Sequence, residues 1–250
     1  MSGHSKWSTI KRRKGAKDAA RGRVFTRLIR ELTVAARSGG GDPEANPRLR
    51  TAVNAAKAAN MPNDRIDRAI KKGTGELGGE ALEEIVYEGY GPLGVAVLAE
   101  TVTDNRNRTT GEIRHIFTKH GGNLGAVGSV AWMFDQKGVI SVSREHVDEE
   151  TLLEAALEAG AEDVSTEAED VFRIITAPTD LHGVVSVLET AGIPVLEAVL
   201  DRLAQNTKEL GEQEAERFLK FYETLEEQDD VQKLFANFEI SDDVMERLGN

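Results

Sequence analysis

Positive charge is crowded into one end of this 250-residue chain, and dense positive charge of this kind binds phosphate. Between Met1 and Arg30 stand ten Lys or Arg and a single acid, Asp18. Lys6, Lys11, Arg12, Arg13, Lys14 and Lys17 come first, and Arg23, Arg27 and Arg30 follow at helical spacing. Residues 1–72 hold 18 basic and 6 acidic side chains, a balance of +12. The remainder holds 13 and 37, a balance of −24, so the net charge of −12 hides a strong polarity. One end seeks polyanions and the other repels them. Within the basic end, Gly3 leaves the backbone free to approach a ligand, His4 offers a ring donor and Trp7 a stacking face. Those three suit the exposed bases of single-stranded or folded RNA. The competing reading is a solvated cationic tail with Trp7 packed on a helical core.

A second set is Asn105, Arg106, Asn107 and Arg108, next to Asp104. They fall at a predicted helix N-terminus, where unpaired backbone N–H groups and the dipole favour an anion. Two arginines in an acidic region could complete a phosphate site there. Equally, Asp104 could cap the helix while the arginines pair with neighbouring acids. Gly121, Gly122, Gly125 and Gly128 form a third set, since a glycine-rich loop can present amides to phosphate. It lacks both the Gly-Lys-Ser/Thr ending of a P-loop and the spacing of a dinucleotide fingerprint. A helix-to-strand turn with close backbone approach is the better reading. Catalytic constellations are missing from the sequence. Glu112 and His115 lie one helical turn apart, but two ligands do not make a metal site, and His146 and His182 stand alone. No nucleophile elbow, zincin motif or kinase set occurs. The carboxylates of 145–170 follow no acid–base dyad and read as a solvated face. We therefore expect no enzyme, no catalytic or metal-binding residue, no cofactor and no small-molecule substrate.

The elements that must carry these residues change type along the chain. Residues 1–16 have no apolar period and read as an extended arm. From Lys17 to Arg37, Phe25, Leu28, Ile29, Leu32, Ala35 and Ala36 form one helical stripe, with Arg23, Arg27, Arg30 and Arg37 roughly opposite. Ser38-Gly39-Gly40-Gly41 ends that helix. Asp42-Pro43 and Asn46-Pro47 both read as helix starts. Leu49, Ala52, Val53, Ala56 and Ala59 give a second face, and Met61-Pro62 breaks it. A third helix with Ile66, Ala69 and Ile70 stops at Gly73, and 74–79 reads as a linker. Strands then dominate: 84–88 and 94–102, a helix running from a cap at Asp104 to about His120, and a strand-like 130–134. Next comes an orderly block. Strand 139–142, helix 148–158, strands 163–165 and 171–176, helix 179–190 and strand 195–200 give βαββαβ, the ferredoxin-like order. Helix 212–227 and strand 232–238 remain, and the incomplete ββαβ before the block needs an αβ to finish it. We therefore expect an α+β protein with a three-helix basic domain over 1–76. Two α/β domains follow it, one over 80–135 plus 207–250 and a ferredoxin-like one over 136–206 inserted within the first.

Composition narrows the class further. The absence of cysteine removes disulfides, thiolate catalysis and cysteine-ligated metal, and fits a reducing compartment. No apolar run approaches the roughly 20 residues of a membrane span, and no apolar h-region follows the basic start. A cytoplasmic protein with no membrane partner is the expectation.

Five segments carry a resemblance. Ser2-Gly3-His4-Ser5-Lys6-Trp7, Asn60-Met61-Pro62, Tyr87-Glu88-Gly89-Tyr90-Gly91-Pro92, Thr103-Asp104-Asn105-Arg106-Asn107-Arg108-Thr109 and Gly121-Gly122-Asn123-Leu124-Gly125 are similar to the motifs of the YebC family, in the same order and nearly end to end. That family includes the PmpR regulators and the mitochondrial translational activator of cytochrome oxidase. The resemblance implies three domains and a non-enzymatic regulator of gene expression. Its common label is a DNA-binding transcriptional regulator. Some members are instead described as acting on the ribosome and easing elongation through proline-rich stretches. DNA and ribosomal RNA, with the ribosome as partner in the second case, stay open as targets. The start at Met1 resembles the bacterial cytosolic form rather than the mitochondrial one. For DNA, no clear helix-turn-helix with base-reading side chains appears. For RNA, the ferredoxin-like block lacks an aromatic RNP strand.

Overall fold

In a computed structural model of the chain, residues 17–78, 81–166 and 170–249 are described. Three helices come first: α1 (Lys17–Gly39), α2 (Pro47–Ala58) and α3 (Asn63–Gly73). Their apolar stripes meet in one cluster of Leu32, Ala35, Leu49, Ala52, Ala56, Met61, Ile66 and Ala69. Asn46 joins the first two helices. Its side chain caps α2 by accepting from the Leu49 N–H at 3.1 Å, and its amide donates to the Ala35 and Gly40 carbonyls at the end of α1. Asp42 starts no helix; its carboxylate accepts from the Glu44 N–H in a turn before α2. The Asn60-Met61-Pro62 break is structural: Asn60 takes φ +58°, Met61 is buried in the cluster, and Pro62 leads into α3. Asparagine tolerates that left-handed conformation better than most side chains.

The next unit is an antiparallel sheet of β1 (Glu83–Tyr90), β2 (Ala96–Thr103), β3 (Asn123–Leu124) and β9 (Val231–Ala236). Their order is β3-β1-β2-β9. Helices α4 (Arg106–Lys119) and α7 (Glu212–Glu226) bring Phe117, Phe218, Phe221 and Tyr222 into the same core as Tyr87, Val97, Ala99 and Leu234. The Phe117 and Phe221 rings meet edge to face with centroids 5.0 Å apart, a favoured aromatic geometry. Strand β9 confirms the expected return of the chain to this sheet. It lies beside β2, with Leu98 opposite Phe235.

Between β3 and α7 the chain makes the expected ferredoxin-like unit. Its strands are β4 (Phe134–Ser143), β5 (Asp163–Ser165), β6 (Val171–Thr176) and β7 (Val195–Ala204), and its helices are α5 (Glu149–Glu158) and α6 (Leu181–Thr190). The sheet order is β5-β6-β4-β7, with Ile140, Val142, Phe172 and Ile174 packed under the helices. Strands β4 and β7 are longer than the sequence pattern indicates. The 130–134 stretch is not a strand but a 3₁₀ turn over Ala131–Met133 that runs into β4. Two further features have no counterpart in the apolar spacing of the sequence: a short parallel pair of β8 (Lys208–Glu209) with β10 (Phe238–Glu239), and a closing helix α8 (Asp242–Gly249). Among the described residues no helix is long and apolar enough to cross a membrane.

Candidate nucleic-acid interface

His4, Lys6, Trp7, Lys11, Arg12, Arg13 and Lys14 lie outside the described residues, and Lys17 opens α1. Arg23, Arg27 and Arg30 are placed together, and they face the protein. Arg27 donates to the carbonyl of Glu226 in the last turn of α7, where a helix leaves carbonyls without intrahelical partners, and Arg30 to that of Asp229 in the turn beyond it. Arg23 pairs with Glu227 at 3.5 Å. Three arginines predicted to face phosphate thus fasten the helical domain to the C-terminal end of α7, a favourable place for cations.

The strongest of these ties is Asp230. Its carboxylate is 1 % exposed. Arg30 reaches it at 2.7 Å, Arg108 at 3.0 Å and the Thr109 hydroxyl at 2.6 Å. Burial pushes its pKa up, but the bonds from Thr109 and Arg108 and the charge of Arg30 outweigh that and hold it below the ordinary value. A buried carboxylate stays ionised when its lone pairs are filled in this way. Arg108 also pairs with Asp104 at 3.0 Å. The helix cap is Asn105, which accepts from the Arg108 N–H at 3.1 Å; Asp104 is not the cap. So within the Thr103–Thr109 motif Arg108 joins Arg30 on one buried acid, and Arg106 does not. Arg106 is exposed, and among the described residues its guanidinium makes no ion pair. A second tie across the same interface is Arg48, which bridges Glu31 at 2.8 Å and Glu84 at 2.6 Å.

The glycine-rich loop presents no free amides at its end. The N–H groups of Gly128, Val130 and Ala131 all donate to the buried carboxylate of Glu88, at 2.7, 3.0 and 2.8 Å. Burial raises the Glu88 pKa, and these three bonds with Arg202 nearby bring it below the ordinary value. Glu88 stands in one of the five motifs without any sign there of its partners, and nothing local in the sequence marks Asp230 among so many acids. Each shows its role only once the loop or the helix beside it is folded.

Cations left facing solvent lie elsewhere. Arg65, Arg68, Lys71 and Lys72 on α3 and Lys57 on α2 are exposed, and among the described residues none makes an ion pair. They leave solvent-facing positive charge on the domain whose sequence also holds the cationic residues 6–17. Such charge can neutralise successive phosphates without reading sequence. Among the described residues no group of three His, Cys, Asp or Glu is arranged to hold a metal.

Comparison with known proteins agrees along the whole length. Residues 5–76 match the TACO1/YebC protein N-terminal domain, and residues 82–238 match the TACO1/YebC second and third domain. A protein of Syntrophus aciditrophicus is 58 % identical over 249 residues, 99 % of each chain, and one of Desulfatibacillum aliphaticivorans is 59 % identical over 245. Both bear the name "probable transcriptional regulatory protein". The crystal structure of a conserved hypothetical protein from Aquifex aeolicus is 54 % identical, with a TM-score of 0.81 over 90 % of this chain and 93 % of that one.

Proposed function

This chain belongs to the TACO1/YebC family, and we propose that it is a non-enzymatic regulator of gene expression that binds nucleic acid through its basic N-terminal domain. DNA is the first target, following the name its relatives bear. The observation that carries this reading is the sorting of charge. The basic domain spends Arg23, Arg27 and Arg30 on its own attachment and leaves Lys57, Arg65, Arg68, Lys71 and Lys72 to solvent. The remainder of the chain, at −24, turns a polyanion away and so orients the complex. A second reading is a ribosome-associated translation factor that binds ribosomal RNA and assists elongation through proline-rich stretches. The residues that favour it are Gly3, His4, Lys6 and Trp7, which suit unpaired bases better than a duplex.

Sedimentation of a cell lysate through sucrose at low and high salt separates the two. On the first reading the protein stays off the ribosomal fractions and is retained on DNA, and reversing Arg12, Arg13 and Lys14 to Glu weakens that retention on all sequences alike. Co-migration with ribosomes at low salt, lost in the same variant, favours the second. Unchanged affinity of the variant for every nucleic acid would overturn both.

A further inference from the structure

One edge of the middle sheet is left unfinished. Strand β1 pairs with β2 along its whole length, but on its other side β3 covers only Gly89 and Tyr90. The ladder ends with the Gly125 N–H donating to the Glu88 carbonyl at 2.7 Å. That bond fixes the parity of the strand. The backbone groups of Glu84, Val86 and Glu88 point to the open side, and those of Ile85 and Tyr87 point to β2. The segment after Gly125 cannot continue the ladder, because the Gly128, Val130 and Ala131 amides are drawn to the Glu88 carboxylate instead. Glu88 therefore keeps the edge open.

Beside this edge is a cleft of about 460 Å³ with three walls: β1 from Ile85 to Glu88, the exposed face of α4, and the loop Leu124–Val127. The loop side is apolar, with Val127 90 % exposed. The helix side is cationic. Arg106 and Arg114 line the cleft, and among the described residues the guanidinium of neither makes an ion pair or hydrogen bond. The Tyr87 and Thr110 hydroxyls, 2.8 Å apart, hold the helix against the strand midway between them. The two arginines are eight positions apart, about 12 Å of helix. In an extended chain, residues four apart are separated by about 13 Å.

We infer that this cleft binds an extended peptide segment of another protein, which adds a strand at the place β3 leaves empty and sets two acidic side chains, four residues apart, against Arg106 and Arg114. Strand addition uses the main-chain bonds that the edge offers, and flanking pockets supply the choice of side chain. A bare edge is otherwise a liability that proteins cover or blunt. A polynucleotide fits less well. The edge presents carbonyls as well as N–H groups, and the surrounding acidic domains act on every phosphate of a nucleic acid but on only two groups of such a peptide. This site is independent of the basic domain, so it stands or falls apart from the proposed function.

The test selects from a random heptapeptide display library on the full-length chain. Enriched peptides should carry Asp or Glu at positions i and i+4. On the Arg106→Glu/Arg114→Glu variant their affinity should fall by about ten-fold or more, because charge-assisted bonds are replaced by repulsion. Val86→Pro gives a second reading. Proline is tolerated where the N–H faces solvent on an edge strand. The thermal midpoint should therefore hardly move, while peptide binding is lost. The inference is overturned if nothing is enriched, if enriched peptides lack the acidic pair, if they bind both variants as well as the original, or if a single-stranded oligothymidylate displaces them.

Discussion

Two helices of one small domain carry arginines at similar density and use them in opposite ways. On α1, Arg23, Arg27 and Arg30 are turned onto the end of α7 and the acids beyond it. On α3, Arg65, Arg68, Lys71 and Lys72 meet only solvent among the described residues. Both stretches look alike in a count of charge. What separates them is the neighbour on the opposite side. The middle domain brings the carbonyls of Glu226 and Asp229 and the carboxylates of Glu227 and Asp230 to α1, and among the described residues it brings no acid into an ion pair with α3. A cation count locates the domain that seeks a polyanion, and pairing within the fold decides which of its cations remain available.

This contrast is broken most forcefully at Asp230. Replacing it with Ala leaves Arg30, whose side chain is only 17 % exposed, facing Arg108 with no anion between them. Removing one partner of a buried charge network should cost about 3 kcal/mol, read as a lowered midpoint in urea unfolding of the full chain. Acid should release the same tie. Burial raises the Asp230 pKa, but Thr109, Arg108 and Arg30 together hold it below 3.8. A carboxylate with a depressed folded pKa contributes its full stabilisation above the unfolded value, and that contribution is lost as the pH falls through the folded one. Contact between the helical and middle domains, followed by energy transfer between dyes on α2 and α4, should therefore persist at pH 5 and fall away below about pH 3.8. In Asp230→Asn that acid transition should be missing.

Charge reversal on α3 sharpens the contrast from the other side. Arg65, Arg68 and Lys72 are exposed and make no side-chain hydrogen bond or ion pair among the described residues, so replacing all three with Glu should change stability by no more than about 0.5 kcal/mol. Affinity for duplex DNA should fall, and the slope of log K against log salt should become shallower by about 3 if each residue meets one phosphate. An unchanged slope would mean that the arm binds without this helix.

Much of this architecture could be read from apolar spacing. The βαββαβ block is legible because its strands alternate and its first helix is capped within a single turn by Asp148, which accepts from the Thr151 N–H at 2.9 Å. The return of β9 to the middle sheet followed from counting strands rather than from any local signal. The family motifs also proved readable in physical terms. Asn60 takes the left-handed turn, Asn105 caps α4, Glu88 gathers a loop, and Thr109 with Arg108 holds Asp230. What the sequence hid were partners at long range. Arg30 and Asp230 are 200 positions apart, and nothing near either one signals the other. The open edge of β1 was hidden for the same reason, because it depends on where β3 stops.

The smallest effect is the most discriminating one. Arg23 and Glu227 are 39 % and 54 % exposed, and their 3.5 Å pair is worth little in water. Arg23→Gln should therefore shift stability by less than about 1 kcal/mol. Its consequence for nucleic acid depends on which helix bears the interface. If the free cations are those of α2 and α3, then removing Arg23, already committed to α7, leaves affinity and salt slope where they were. If instead the slope becomes shallower by about 1, Arg23 must leave Glu227 to meet a phosphate. The end of α7 would then belong to the binding face, and the division between attaching and binding arginines would fail at the weakest of its ties.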